Sequence, residues 1–216
     1  MTRLSNPAVP RLPNSADAYD RLAQEQYSNV LRLYFQQLNS VLGFVVGPNG
    51  GQYVDCPNGL FFNTVDQTFA LANTAYPVVF DNTYLSNAVA FAGDSASKIA
   101  VSVNGVYNFQ YTGQVYSSNS SAKSIYMWLN RNGTDIGYST RAKTVSGNST
   151  YTDISWNFDI DLQAGDYIEL RVSVTNTGLK LDAQPSSAPH PGIPSSVLTV
   201  NFVAPLPAIL PTPPSP

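Results

Sequence analysis

The chain is poor in the residues that carry most chemistry. Its 216 residues include one cysteine, Cys56, and one histidine, His190. One cysteine excludes a disulfide framework within the chain, and one cysteine with one histidine excludes a zinc site of Cys/His type from a single copy. Charged residues make up 12%, about half the usual share. The net charge is -3 and no basic run occurs. Nucleic-acid binding needs a Lys/Arg stripe to displace counterions, so it is not expected. No stretch approaches the ~18 apolar residues of a membrane span, and the first residues contain no apolar export core. Assembly in a cytoplasm is the expectation. The sequons at Asn119, Asn132 and Asn148 are then by-products of Asn/Ser/Thr-rich turns. Cys56 reads as a buried or loop thiol, with an intersubunit bridge as the other reading.

In place of charge stand Asn, Ser, Thr, Gln and 13 tyrosines, with 43% hydrophobic residues overall. Such a surface suits a β-rich protein that packs on copies of itself or on another surface. The length allows one domain with extensions and a substantial core.

Residues 1–43 read as an arm followed by a docking helix. Pro7, Pro10 and Pro13 keep the arm extended. Asn14 or Ser15 offers a cap, and Asp17 and Asp20 favour the positive first turn. Tyr19, Leu22, Ala23, Tyr27, Val30, Leu31, Tyr34, Leu38, Val41 and Leu42 recur at helical spacing, and Gly43 supplies a stop. The stripe packs either on the chain's own β-domain or on a partner, with Tyr19, Tyr27, Leu31, Tyr34 and Leu38 as anchors. Residues 44–63 read as a turn-rich linker around Gly47-Pro48-Asn49-Gly50-Gly51 and Cys56-Pro57-Asn58-Gly59.

From residue 64 the period changes to two. Tyr107, Phe109, Tyr111, Gly113 and Val115 alternate with polar residues, as do Ile154 to Leu162, Ile168 to Val174 and Leu198 to Phe202. Turns fall at Asn132-Gly133, Ser146-Gly147 and Ala164-Gly165-Asp166. Short strands between Gly/Asn/Ser turns predict an all-β sandwich over residues 64–204, followed by a Pro-rich tail over 205–216.

Candidate catalytic groups are few. His190 sits in Pro189-His190-Pro191-Gly192, a loop tip without a placed nucleophile. Asp159 and Asp161 share the polar side of one strand. They read as solvated decoration, with a calcium site or an acid/base pair as the other readings. No phosphate-binding loop precedes a helix. The expectation is a non-enzyme without metal or cofactor. Tyr126 and Trp128 lie opposite Ile125, Met127 and Leu129, so that strand is apolar on both faces. Its outer face is covered by a neighbour or by the helix, or serves as a sugar platform.

Two motifs carry a family resemblance. Gly105-Val106-Tyr107-Asn108-Phe109-Gln110-Tyr111 resembles the G-x-Y-x-F strand of tumour-necrosis-factor-like and complement-head-like jelly rolls. Leu162-Gln163-Ala164-Gly165-Asp166-Tyr167-Ile168-Glu169-Leu170 resembles their L-x-x-G-D-x-V-x-L strand. Ala72-Asn73-Thr74-Ala75-Tyr76, the run Ile125 to Thr134, Trp156 and the run Ile193 to Val200 are similar to accessory structural proteins of tailed bacteriophages. Arg11-Leu12-Pro13-Asn14, with Tyr19-Asp20 and Leu31 to Phe35, is similar to the N-terminal helix on some of them from short-tailed phages of photosynthetic bacteria. The resemblance covers roughly residues 11–42 and 67–203. It implies a jelly roll of about ten antiparallel strands, assembled as a homotrimer on a virion. The threefold face would carry Asn108, Gln110, Gln114, Glu169, Arg171 and Asn201, with Glu169 and Arg171 paired across subunits. The implied function is a capsid decoration or cement protein bound to the major capsid protein or another virion protein. The alternative is a receptor-binding fibre or tail-tip head that recognises a host-surface ligand such as a glycan, and the third reading is a polysaccharide hydrolase. The short chain with one module favours the first, since fibres carry long shafts.

Overall fold

The computed structural model describes residues 7–12, 19–46 and 56–206. The chain divides into two units, residues 1–55 and 56–216. In the first unit, helix α1 spans Arg21–Val46. Its N-cap is Asp20, whose Oδ1 accepts a hydrogen bond from the Leu22 amide at 2.9 Å. The expected caps Asn14 and Ser15, and Asp17, lie outside the described residues. Gly43 does not end the helix, which continues through Val46. A glycine costs about 1 kcal/mol in a helix interior, and the apolar arc continues past it with Phe44 and Val45.

Among the described residues, fourteen strands form the second unit. In chain order they are β1 (Asn58–Asn63), β2 (Gln67–Thr68), β3 (Tyr76–Pro77), β4 (Asn82–Asn87), β5 (Val89–Phe91), β6 (Lys98–Val101) and β7 (Gly105–Ser117). There follow β8 (Lys123–Arg131), β9 (Thr134–Asp135), β10 (Arg141–Val145), β11 (Thr150–Leu162), β12 (Tyr167–Val174), β13 (Leu179–Leu181) and β14 (Ser196–Ala204). They make two seven-stranded antiparallel sheets, a jelly-roll-like sandwich. Sheet A runs β2-β13-β7-β14-β1-β4, with β11 on the other side of β7; sheet B runs β10-β8-β12-β6-β5, with β3 on β12 and β9 on β8. The number exceeds the ten expected because short strands such as β2, β3 and β9 extend the longer ladders. The sandwich also begins at Asn58, inside the segment expected to be linker. There Phe61 and Asn63 face inward, and Asn63 stays polar in the core because its amide donates to the Val79 carbonyl at 2.8 Å.

β7 and β11 pair over thirteen consecutive residues, from Gly105↔Leu162 to Ser117↔Thr150. Period two then sends Tyr107, Phe109, Tyr111 and Val115 inward. They meet Ile125, Met127, Leu129, Ile168, Leu170, Val172 and Val174 from sheet B, all buried. Two glycines of β7 lie under aromatic rings. A Cβ on Gly105 would stand 2.3 Å from the Phe202 ring, and one on Gly113 would stand 2.4 Å from the Tyr111 hydroxyl.

The expected turns occur where the sequence placed them. Asn132-Gly133, at φ 50° and 88°, closes the β8–β9 hairpin as a two-residue loop. Asp166, from the Gly-Asp motif, ties this hairpin to the β11–β12 turn. Its carboxylate accepts from the Gln163 amide at 2.9 Å, the Asn132 side chain at 2.7 Å and Arg131 Nη2 at 2.7 Å. Burial pushes the Asp166 carboxyl up, but these three donors outweigh it and hold it below the usual carboxylate range. Asp81 behaves likewise: burial raises it, and bonds from Thr64 and Asn82 lower it further than that.

Replacing Asp166 with Ala orphans three donors and should lower the unfolding free energy by about 2–4 kcal/mol, read from urea midpoints. These depressed carboxyls stabilise the fold fully above the unfolded value of about 4, and the contribution is lost as pH falls through their lower folded values. The urea midpoint should therefore fall below pH ~4, and less steeply in Asp166→Asn. Gly113→Ala should cost about 1–3 kcal/mol, and Tyr111→Phe should relieve part of that cost in a double-mutant cycle.

Candidate interaction surfaces

Helix α1 is apolar over more than half its circumference. Ala23, Val30, Leu31, Tyr34, Leu38 and Val41 form a half-buried stripe, with Tyr27 beside them at 38% exposure. Leu33, Phe35, Leu42 and Phe44 flank it and are 49–60% exposed. Of the expected anchors, Tyr27, Leu31, Tyr34 and Leu38 share this stripe. Tyr19 does not, because the helix starts at Arg21; its ring is 85% exposed before the first turn. Arg21 pairs with Glu25 at 3.6 Å, an exposed i,i+4 contact of small energetic weight.

The residues expected at a threefold face do not share one sheet. Asn108, Gln110 and Gln114 on β7 and Asn201 on β14 point outward from sheet A. Glu169 and Arg171 lie on β12, in sheet B, on the opposite side of the sandwich. They also do not wait for another subunit: Arg171 Nη2 stands 2.5 Å from Glu169 Oε2, and Ser97 Oγ donates to Glu169 Oε1. The sequence pattern could not separate the two sets, since strands of both sheets alternate with the same period.

The outer face of sheet A is an amide and hydroxyl plane. β7 contributes Asn108, Gln110, Thr112 and Gln114, facing Asp159, Asn157, Ser155 and Asp153 of β11 in register. β14 adds Thr199 and Asn201 opposite Gln110 and Asn108. Asn108 donates to Asn157 and Asp159, and Gln114 reaches the Asp182 carbonyl at 3.3 Å. Among the described residues the cation on this face is Lys180 of β13, held between Asp66 and Asp182 at 2.5 Å each. The hydrogen bonds to Asp182 and then Asp66 raise its pKa well above the usual lysine range. Beside this plane, β11 has a ladder partner on one side only among the described residues. Its inward aromatics Trp156 and Phe158 are half-buried for that reason.

Sheet B carries a different surface. Ile125, Met127 and Leu129 fill the core as expected, while Tyr126 and Trp128 face outward. With Ser173 of β12 and the loop from Asp135 to Thr140 they line an open groove of about 420 Å³. The loop is pinned to β8. Ile136 N donates to the Leu129 carbonyl at 2.9 Å, and Ser139 Oγ accepts from Leu129 N at 3.1 Å. Asn130 Nδ2 donates to Asp135 Oδ1 at 2.8 Å. That bond, then the indole N–H of Trp128, hold the Asp135 carboxyl below the usual range against its burial, with help from the Arg171 charge. The indole hydrogen lies near the carboxylate without hydrogen-bonding geometry. Sequence reasoning missed Asp135 and Tyr138. The Asn-Gly hairpin alone could have placed Asp135 beside Asn130.

The candidate catalytic groups remain apart. His190 is exposed at the end of the loop that bridges back to Ser187, with Nδ1 3.1 Å from the Pro191 carbonyl. Asp159 accepts from Asn108, and Asp161 lies 3.7 Å from Arg131. Cys56 is exposed at the start of the sandwich. Among the described residues no group of three or more His, Cys, Asp or Glu could hold a metal ion, and no helix is long and apolar enough to cross a membrane. No protein-family model matches the chain, and no curated protein sequence matches it.

Proposed function

We propose that the chain is a non-enzymatic structural component of a phage virion, a homotrimeric decoration or cement protein that binds and stabilises the shell. The observation that carries this reading is sheet A: a broad outer face of amides and hydroxyls next to a thirteen-residue strand edge without a ladder partner. An unpaired edge of that length invites association. β11 carries no Lys, Arg or Pro, and its only charges are Asp153, Asp159 and Asp161. The edge of one copy placed against the amide plane of the next is a heterologous contact, which closes into a trimer when the rotation between copies is threefold. In this reading Asn108, Gln110, Gln114 and Asn201 remain at the subunit contact, and Glu169 and Arg171 leave it.

The helix is the docking device. Burying Tyr27, Leu31, Tyr34 and Leu38 in a groove of a virion protein supplies roughly 6–12 kcal/mol before ordering costs. Three copies on one trimer multiply the effect through effective concentration. The alternative, a receptor-binding fibre or tail-tip head, draws its support from the groove on sheet B.

Light scattering at micromolar concentration should return a trimer of the 23.3 kDa chain. Asn157→Lys with Gln110→Lys should shift it to monomer; a monomeric parent protein would overturn the reading. Deleting residues 1–43 should leave a folded trimer that no longer decorates particles, and Tyr34→Ala with Leu38→Ala should weaken attachment with the β circular dichroism unchanged. His190→Ala and Asp159→Asn should change neither property. Hydrolysis of polysaccharide by the purified chain, abolished by either change, would make the protein an enzyme.

A further inference from the structure

The groove on sheet B carries a single, unmatched charge. Its chemistry comes from Tyr126, Trp128, Asp135, Tyr138, Thr140 and Ser173, and Asp135 is the one side chain of the lining that is charged at neutral pH. Arg171, the cross-strand neighbour of Trp128, stands outside the lining and is already paired with Glu169 at 2.5 Å. On the neighbouring strand β10, Arg141 and Lys143 are in register with Met127 and Ile125 and share their face of the sheet. Ala142, without charge, stands opposite Tyr126. The groove therefore keeps a net negative charge.

The carboxylate is oriented but not used up. Asp135 is exposed, and its Oδ1 accepts from Asn130 at 2.8 Å. A carboxylate accepts about four hydrogen bonds, so capacity remains for another donor. Tyr138 sets an aromatic ring at the rim at a cost. Its φ is 61° and its side chain is fully exposed. The other described non-glycine residues with positive φ are Asn73, Ala88, Asn132 and Ser149, all small. The loop is not slack: Ser139 is buried, and its hydroxyl donates to the Ile136 carbonyl at 2.8 Å. Strain held in a fixed loop, on a ring that packs on nothing, points to a role outside stability.

We propose that this groove binds an arginine side chain presented by a partner protein. The guanidinium lays its flat face on the rings of Tyr126 and Tyr138 and donates along its edge to Asp135. The hydroxyls of Ser173 and Thr140 accept its remaining N–H groups. Charge complementarity selects a cation, and hydrogen bonding selects among cations. A quaternary ammonium has no N–H, so it would cover Asp135 and the hydroxyls without giving them a partner. A lysine ammonium is more strongly hydrated and has no flat face to stack. The arginine comes from another protein, because Arg21, Arg131 and Arg171 are already paired with carboxylates of their own chain. The net charge of -3 favours approach of a basic segment. The inference does not depend on the virion reading, because the groove lies on sheet B and the proposed subunit contact on sheet A.

The probe is the peptide Gly-Arg-Gly, blocked at both ends and titrated into the full chain carrying Trp156→Phe, which leaves Trp128 as the only indole. Blocked Gly-Lys-Gly and choline are the controls. The arginine peptide should shift Trp128 emission saturably and bind more tightly than either control. Asp135→Asn should weaken it by about tenfold. Tyr138→Asn keeps a residue that tolerates the left-handed φ but removes the ring, and should weaken binding by about threefold. Neither change should alter the circular dichroism. The proposal is overturned if the arginine peptide gives no saturable shift, if lysine peptide or choline binds equally well, or if affinity survives both substitutions. It is also overturned if Asp135→Asn or the arginine peptide lowers the oligomeric state in light scattering, since the occupant is then an arginine of a second copy.

Discussion

The thirteen register pairs between β7 and β11 decide which side chains of sheet A can reach the core. Once Tyr107 and Phe109 point inward, every alternate residue on both strands must point out. A slip of one residue would exchange the aromatic row for amides, so the register is set by the burial of that row. β14 and β13 then share the other side of β7, β14 along Val106–Gly113 and β13 along Val115–Ser117. Three strands therefore inherit their facing from one. The amide plane outside and the aromatic core inside are two consequences of the same ladder.

Polar groups inside the sandwich show what a completed network requires. Where the chain runs past β3 without a full ladder, the side chain of Gln67 replaces it: Oε1 accepts from Val79 N at 2.9 Å and Nε2 donates to the Val79 carbonyl at 3.2 Å. The Tyr111 hydroxyl, deep in the core, meets Ser196 Oγ at 2.9 Å. Burial raises its pKa far above the ordinary phenol range, so it stays protonated. Trp128 Nε1 and Asn130 Oδ1 differ, being buried without a hydrogen-bond partner among the described residues.

The two sheets thus offer opposite chemistry. Sheet A presents many weak, neutral hydrogen-bonding groups over a wide plane, which suits repeated contact between identical surfaces. Sheet B sets the rings of Tyr126 and Trp128 beside the Asp135 carboxylate in a small groove.

Composition and period were enough to read the β class, the helix stripe and the main turns. Those depend on neighbours within a few residues: alternate apolar residues from Tyr107 to Val115, Asn132-Gly133 at a two-residue hairpin, and Leu31, Tyr34 and Leu38 at helical spacing. Strand β1 was hidden because Asn58, Gly59 and Asn63 look like turn residues until Val79 gives Asn63 a buried partner. The helix end was misjudged at Gly43, where the continuing apolar arc outweighs a weak local preference. The assignment of Glu169 and Arg171 to sheet B, and the meeting of Trp128, Asp135 and Tyr138 in one groove, belong to the tertiary structure alone. Local alternation says which residues share a face of one strand. Which strands lie side by side, and which loop folds over them, is decided by pairing between segments distant in the chain.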